Sequence, residues 1–175
     1  MSSPEFGYIP DYLIALNKLK DEDGKEHSPI KLIIDSPGGS VKDMFAIIDT
    51  IEVIKSPVWT YARDAKSAAA VIFACGAPGR RYVFERARLM IHQAKDYLIG
   101  FFLGVIITAD DHERRAKELR ISMERIADVL VDNLCPGATT TKKQILEDME
   151  KEKWMSAQES IDYGIADVII GEGAL

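Results

Sequence analysis

Ser36-Pro37-Gly38-Gly39-Ser40, Lys66-Ser67-Ala68-Ala69-Ala70 and Met90-Ile91-His92-Gln93 punctuate residues 30–93, and the reading of this stretch decides the fold. Before the glycines, Lys31-Leu32-Ile33-Ile34 is the short apolar run of a buried parallel strand. After them, Val41, Met44, Phe45, Ile47, Ile48, Ile51 and Ile54 cover one broad face, the pattern of a helix packed on a sheet, and Ser56-Pro57 stops it. Residues 58–62 read as a strand, 67–74 as a tightly packed helix of small residues, and Gly76-Ala77-Pro78-Gly79 as a turn. Residues 81–84 and 89–91 are further short strands. Strands alternating with helices indicate an α/β architecture.

Working outward, Tyr12, Leu13, Leu16 and Leu19 recur at helical spacing after Pro10, so residues 11–20 read as an amphipathic helix, followed by a polar loop to Ser28. Downstream of His92, residues 97–107 are apolar on both strand faces, which suits a buried strand or an oligomer contact. Residues 110–134 form the longest helical pattern, with Leu119, Met123, Ile126, Leu130 and Leu134 in one stripe. Such a helix exceeds what one small core needs, so part of it is expected to meet another subunit. Thr139-Thr140-Thr141 can cap a helix over 142–151. Ser156 with Glu159 is a capping box for a short helix ending near Gly164, and 165–170 closes as a strand. The whole chain, 1–175, reads as one domain.

Composition narrows the function. A net charge of −6 argues against a general nucleic-acid surface, which needs clustered Lys and Arg not offset by carboxylates. The N-terminal residues show no basic segment followed by an apolar core, and residues 97–107 are too few to span a bilayer, which takes about 20. The expectation is a cytoplasmic protein with no membrane partner. Cys75 and Cys135 lack the paired spacing of a metal site or a disulfide framework, and His27, His92 and His112 are scattered, so no metal is expected.

Chemistry at a serine hydroxyl needs exposure, a base, and donors for the oxyanion. Ser67 stands where strand hands over to helix, beside free N–H groups and the positive end of the helix dipole. An N-cap is the commonest use of serine at such a place. Gly38 and Gly39 let backbone N–H groups approach a ligand, although Pro-Gly-Gly also makes an ordinary tight turn. His92, at the end of an apolar strand, suits either a hydrogen-bonded core residue or a general base carried to a site.

Jointly the three pieces resemble the proteolytic subunit of the ATP-dependent Clp protease, a serine peptidase of the ClpP/crotonase fold. The resemblance rests on Ser36-Pro37-Gly38-Gly39-Ser40-Val41, on Ser67 followed 25 residues later by His92 within Met-Ile-His-Gln, and on Asp49-Thr50, Ile54-Lys55, Ala74-Cys75-Gly76-Ala77 and Gly79-Arg80-Arg81. It returns as Trp154-Met155-Ser156-Ala157 and Tyr163-Gly164 and covers most of residues 30–170. It implies stacked β-β-α units with a protruding helix-strand handle over approximately 94–134. It also implies Ser67 as nucleophile, His92 as base, and the backbone N–H groups of Gly39 and Ala68 as the oxyanion hole. Unfolded polypeptides would be cut inside a homo-oligomer of heptameric rings fed by an AAA+ unfoldase. No cofactor is implied for the protease itself, because ATP would be used by that partner.

Departures from the family are specific. Alignment on Trp154-Met155-Ser156-Ala157 puts Glu152 where the family carries the third catalytic Asp, with Asp148 one helical turn earlier as the reserve candidate. Lys66, a sequence neighbour of Ser67, is expected to point away from its hydroxyl rather than form a Ser-Lys dyad. The interval from His92 to Glu152 is longer than the family's, the excess falling in 97–107, and Met1 to Pro10 is shorter than the family's axial loop, first helix and first strand. These departures keep a catalytically inactive ring subunit as the alternative. A crotonase-type acyl-CoA enzyme, which needs no nucleophilic serine, stands further off.

Overall fold

The computed structural model describes residues 8–18, 28–94 and 109–171. Within the 30–93 stretch, strand β1 (Ile30–Ser36) leads through the glycine turn into helix α2 (Val41–Val53), the preceding helix being α1 (Ile9–Asn17). Then come β2 (Val58–Lys66), α3 (Ala68–Ala74), β3 (Arg81–Phe84) and β4 (Arg88–Ile91). The remainder is α4 (Ala109–Asp132), α5 (Lys142–Glu150), β5 (Lys153–Ser156), α6 (Ala157–Tyr163) and β6 (Val168–Ile170). This is the expected α/β architecture. Residues 97–107, expected as a buried strand or oligomer contact, lie outside the described residues, and so does most of the first half of the expected handle.

The strand β2 organises the sheet. Parallel β1 runs along one edge of it, while the other edge is shared end to end by β3, opposite Thr60 to Ala62, and by β4, opposite Ala65 and Lys66. Antiparallel β5 adds to β4 and parallel β6 to β3. Between Ile34 and Asp35 the β1/β2 register shifts, leaving Arg63 as an extra residue in β2. A bulge of this kind bends its strand and re-aims the residues beyond it; four positions beyond Arg63 stands Ser67. The strand expected to end at Ala62 therefore continues to Lys66, its alternation masked by the bulge and by polar Arg63, Asp64 and Lys66.

The core lies on the helix side of the sheet. Met44, Ile47 and Ile48 of α2, all of α3, Leu89 and Ile91 of β4, and Ile126, Ala127 and Leu130 of α4 are buried together. The turn after α3 packs closely on β2: a Cβ on Gly76 would stand 2.3 Å from Thr60 Oγ1, whose hydroxyl donates to Phe73 O at 2.8 Å. In α4 the buried residues belong to the second half, so the stripe read from sequence contacts the core only from Met123 onward. The capping signals hold: Thr141 Oγ1 accepts from Gln144 N, and Ser156 with Glu159 closes a reciprocal capping box. The last strand is shorter than read, because the N–H groups of Ile165 and Ala166 both donate to Ser160 O and prolong the end of α6.

One buried charge cluster ties the far end together. Arg81, 1% exposed, donates from Nε and Nη2 to both Asp167 oxygens, at 2.8 and 2.7 Å, and from Nη1 to Asn133 O at the end of α4. Burial pushes the Asp167 carboxyl upward, but the Arg81 guanidinium and the Cys135 thiol outweigh it and hold the group below its ordinary range. The same loop carries Cys135, whose thiol is pushed up to about 11 by burial and by Asp167. Cys75, buried in the core, is pushed up to about 12. Both cysteines are free, and neither is a thiolate near neutral pH.

Candidate active site

Ser67 is the residue between β2 and α3. Its N–H extends the sheet by donating to Met90 O at 2.7 Å, and its carbonyl accepts from Ala70 N at 3.0 Å, the first bond of the helix. Held from both sides, it takes φ 56 and ψ −129, a conformation that costs a residue with a Cβ on the order of 1–3 kcal/mol. Its side chain makes no capping hydrogen bond. The N-cap reading therefore describes its position but not the use of its hydroxyl, which caps no N–H of the helix it precedes.

The glycine turn explains how that bend is accommodated. Gly38, at φ +105, is buried against the serine: a Cβ there would stand 2.6 Å from Ser67 Cβ, 2.7 Å from Lys66 O and 3.1 Å from Ala68 N. No residue larger than glycine fits. Gly38 N–H donates to Ser36 Oγ at 3.2 Å, so of the two glycine N–H groups it is that of the exposed Gly39 that the turn can offer outward. Ser40 caps α2 by accepting from Asp43 N at 3.3 Å. Ala68 is the first residue of α3, where an N–H has no intrahelical acceptor.

His92 stands just past the last residue of β4. Because Lys66 pairs with Met90, Ser67 falls opposite Ile91, and His92 follows one residue further at the same end of the sheet. Both line one small cavity, closed by Val41, Met44, Ala68, Val71, Ile91, Ala94, Ile126 and Met149. Apart from the hydroxyl and the imidazole its walls are apolar. A wider groove, lined by Ile9, Leu32, Ile34, Ile47 and Ile72 with Asp35 and Ser36 at its polar side, contains no histidine.

Glu152 lies in the turn from α5 to β5. In the antiparallel β4/β5 ladder Ile91 pairs with Lys153, so the next step outward sets Glu152 beside His92 in register. The turn is pinned to the histidine segment by Gln93 N–H, which donates to Met149 O at 2.9 Å. Glu152 is exposed and, like Ser67, has φ 56; no other non-glycine residue among those described has positive φ. Asp148, the reserve candidate, accepts from Tyr163 Oη at 3.0 Å.

Lys66 behaves as expected. Its ammonium pairs with Asp64 at 2.5 Å and lies 5.6 Å from the centroid of Trp154, and Lys66 is not among the residues that line the cavity. Arg88 N–H donates to the same Asp64, and its guanidinium also approaches Trp154, so the ends of β2, β4 and β5 are tied together there. The strand β5 is not legible in the sequence: of its four residues only Met155 is buried, so the alternation that marks β3 is never repeated. Among the described residues no group of three His, Cys, Asp or Glu could hold a metal ion. None of the described helices is long and apolar enough to cross a membrane.

Comparison with known proteins places the chain in a family. The profile of the Clp protease family matches residues 12–173. The ATP-dependent Clp protease proteolytic subunit 1 of Chlamydia muridarum (strain MoPn / Nigg) is 38% identical over 146 residues, covering 81% of this chain and 70% of the relative. The subunit of the same name from Chlamydia trachomatis serovar D is 37% identical with the same coverage, and that from Chlamydia pneumoniae 38%. With a profile spanning nearly all of the chain and relatives at this identity, the chain belongs to the Clp protease family.

Proposed function

We propose that the protein is a serine endopeptidase subunit that cuts unfolded polypeptides. The observation that carries this reading is Ser67 itself, bent to φ 56 with no cap hydrogen bond and lining one cavity with His92. His92 takes the proton from Ser67 Oγ as the hydroxyl attacks a peptide carbonyl. The backbone N–H groups of Gly39 and Ala68 hold the oxyanion, and His92 returns the proton to the leaving amine. Water then resolves the acyl-enzyme by the same proton path. Glu152 orients the imidazole and stabilises its cation, its extra methylene relative to Asp offset by the turn that sets it beside His92.

The relatives are named as proteolytic subunits of an ATP-dependent protease. By that likeness the chain works in a homo-oligomer of heptameric rings, in the cytoplasm, and receives substrate from an AAA+ unfoldase. ATP is consumed by that partner, and the protease uses no cofactor of its own. The second reading, a catalytically inactive ring subunit, is favoured by one feature: Glu152 is exposed and replaces the family's aspartate.

Fluorophosphonate labelling separates the two. The expected result is one adduct, mapped to Ser67, absent in Ser67→Ala and in His92→Ala, with casein cleavage lost in parallel. An unlabelled wild-type chain supports the inactive subunit, and full casein cleavage by Ser67→Ala ends the serine mechanism. Sedimentation as a monomer at micromolar concentration would remove the ring.

A further inference from the structure

The turn that carries Glu152 is braced by a residue outside the triad. Tyr163, at the end of α6, is 6% exposed and touches both flanks of that turn. Ahead of Glu152, its hydroxyl donates to Asp148 Oδ2 at 3.0 Å; behind it, the Lys153 ammonium lies 5.7 Å from the centre of its ring. Tyr163 is itself fixed, because its carbonyl accepts from Thr140 Oγ1 at 2.8 Å just before α5 begins. Burial and the neighbouring Asp148 carboxylate raise the phenol well above its ordinary range, so it remains a donor at any pH at which the protein works.

Residue 149 extends the brace to the base. Met149, next to Asp148, accepts from Gln93 N–H through its carbonyl and from Glu152 N–H at 3.5 Å, and its side chain lines the cavity of Ser67 and His92. Asp148 therefore fixes the last turn of α5, from which one carbonyl reaches both the residue after His92 and Glu152. The direction in which the Glu152 side chain leaves the backbone is set by this turn at positive φ, and the turn by its two flanks.

We propose that Tyr163 and Asp148 are positioning residues, a hydrogen-bonded strut that sets Glu152 against His92. This rests on the serine-peptidase reading. It also gives Asp148 a different task from that of a third catalytic residue: its carboxylate is needed as an acceptor for Tyr163, not as a charge for the imidazole.

The test uses the full chain in its assembled form, reading the fluorophosphonate labelling rate at Ser67 together with kcat and KM on a peptide. Tyr163→Phe, which keeps the ring, and Asp148→Ala should each lower kcat and the labelling rate roughly tenfold while KM stays within about twofold. Asp148→Asn retains an acceptor oxygen and should stay within about threefold of wild type. On a Glu152→Gln background, Tyr163→Phe should cost less than about twofold more, since the group it positions has already lost its charge. Equal losses from Tyr163→Phe on both backgrounds, or Asp148→Asn as damaging as Asp148→Ala, would overturn the strut. A wild-type chain that does not label would instead remove the peptidase reading, and the strut with it.

Discussion

Two corners of the molecule bend a non-glycine residue to φ 56, and they do so by opposite means. At Ser67 the conformation is imposed from all sides: a sheet hydrogen bond to Met90 on the N–H, helix bonds on the carbonyl, and Gly38 packed on the Cβ. At Glu152 it is imposed along the chain, by the helix end before it and the four-residue strand after it, with the side chain exposed. Backbone strain of this kind persists where the surroundings over-determine it. The Ser67 corner is built into the core, while the Glu152 corner stands in an exposed turn.

This difference predicts that damage to the supports will be unequal. Gly38→Ala introduces a Cβ that meets Ser67 Cβ and the backbone oxygen of Lys66, at a φ that disfavours alanine. Neither contact is the far end of a flexible side chain, so one of the two turns must shift. The expected cost is about 3 kcal/mol of stability from overpacking and φ together, with labelling of Ser67 lost. Chemical denaturation and probe labelling check it, and a Gly38→Ala protein of wild-type stability and reactivity would mean that the close approach does not hold the serine.

The charge at the other corner matters next. In serine peptidases of known mechanism a buried Asp in this role is worth roughly 10⁴ in kcat. An exposed carboxylate is screened by water and reaches the imidazole from a longer side chain, so Glu152→Gln is expected to lower kcat by roughly 10²-fold, with KM little changed. Steady-state peptide hydrolysis measures this. A loss as large as that of Ser67→Ala would make the two corners equal partners after all.

How much of the fold is legible in the sequence depends on the range of each interaction. Helix starts at Lys142 and Ala157 are legible because the cap and its acceptor lie three residues apart, and β1, α2 and β3 because apolar periodicity is local. Ser67 and His92 are identified by resemblance in order and spacing, since no local signal separates a nucleophile from an N-cap. Features that depend on distant partners stay hidden. The bulge at Arg63 carries β2 on to Lys66, β5 forms only by pairing with β4, Gly38 is required by Ser67, and Tyr163 reaches back to Asp148. The positive φ of Glu152 belongs to the same class: a residue just past a helix C-cap is commonly glycine, and nothing local announces a glutamate bent to take that place.

That substitution of glutamate for the residue favoured by the backbone yields the smallest and most discriminating effect. At positive φ, glycine relieves strain that any side chain suffers, typically about 1 kcal/mol. Glu152→Gly, in an exposed turn that loses no burial, should therefore stabilise the protein by roughly 0.5–1 kcal/mol while lowering kcat as Glu152→Gln does. At Ser67 the same relief is available, so Ser67→Gly should be more stable than the equally inactive Ser67→Ala by about 1 kcal/mol. Thermal unfolding of the four variants beside wild type reads both differences. A Glu152→Gly protein less stable than wild type would show that the glutamate side chain is retained for the fold. Higher stability with lost turnover would show that it is retained, against the preference of its own backbone, for the histidine beside it.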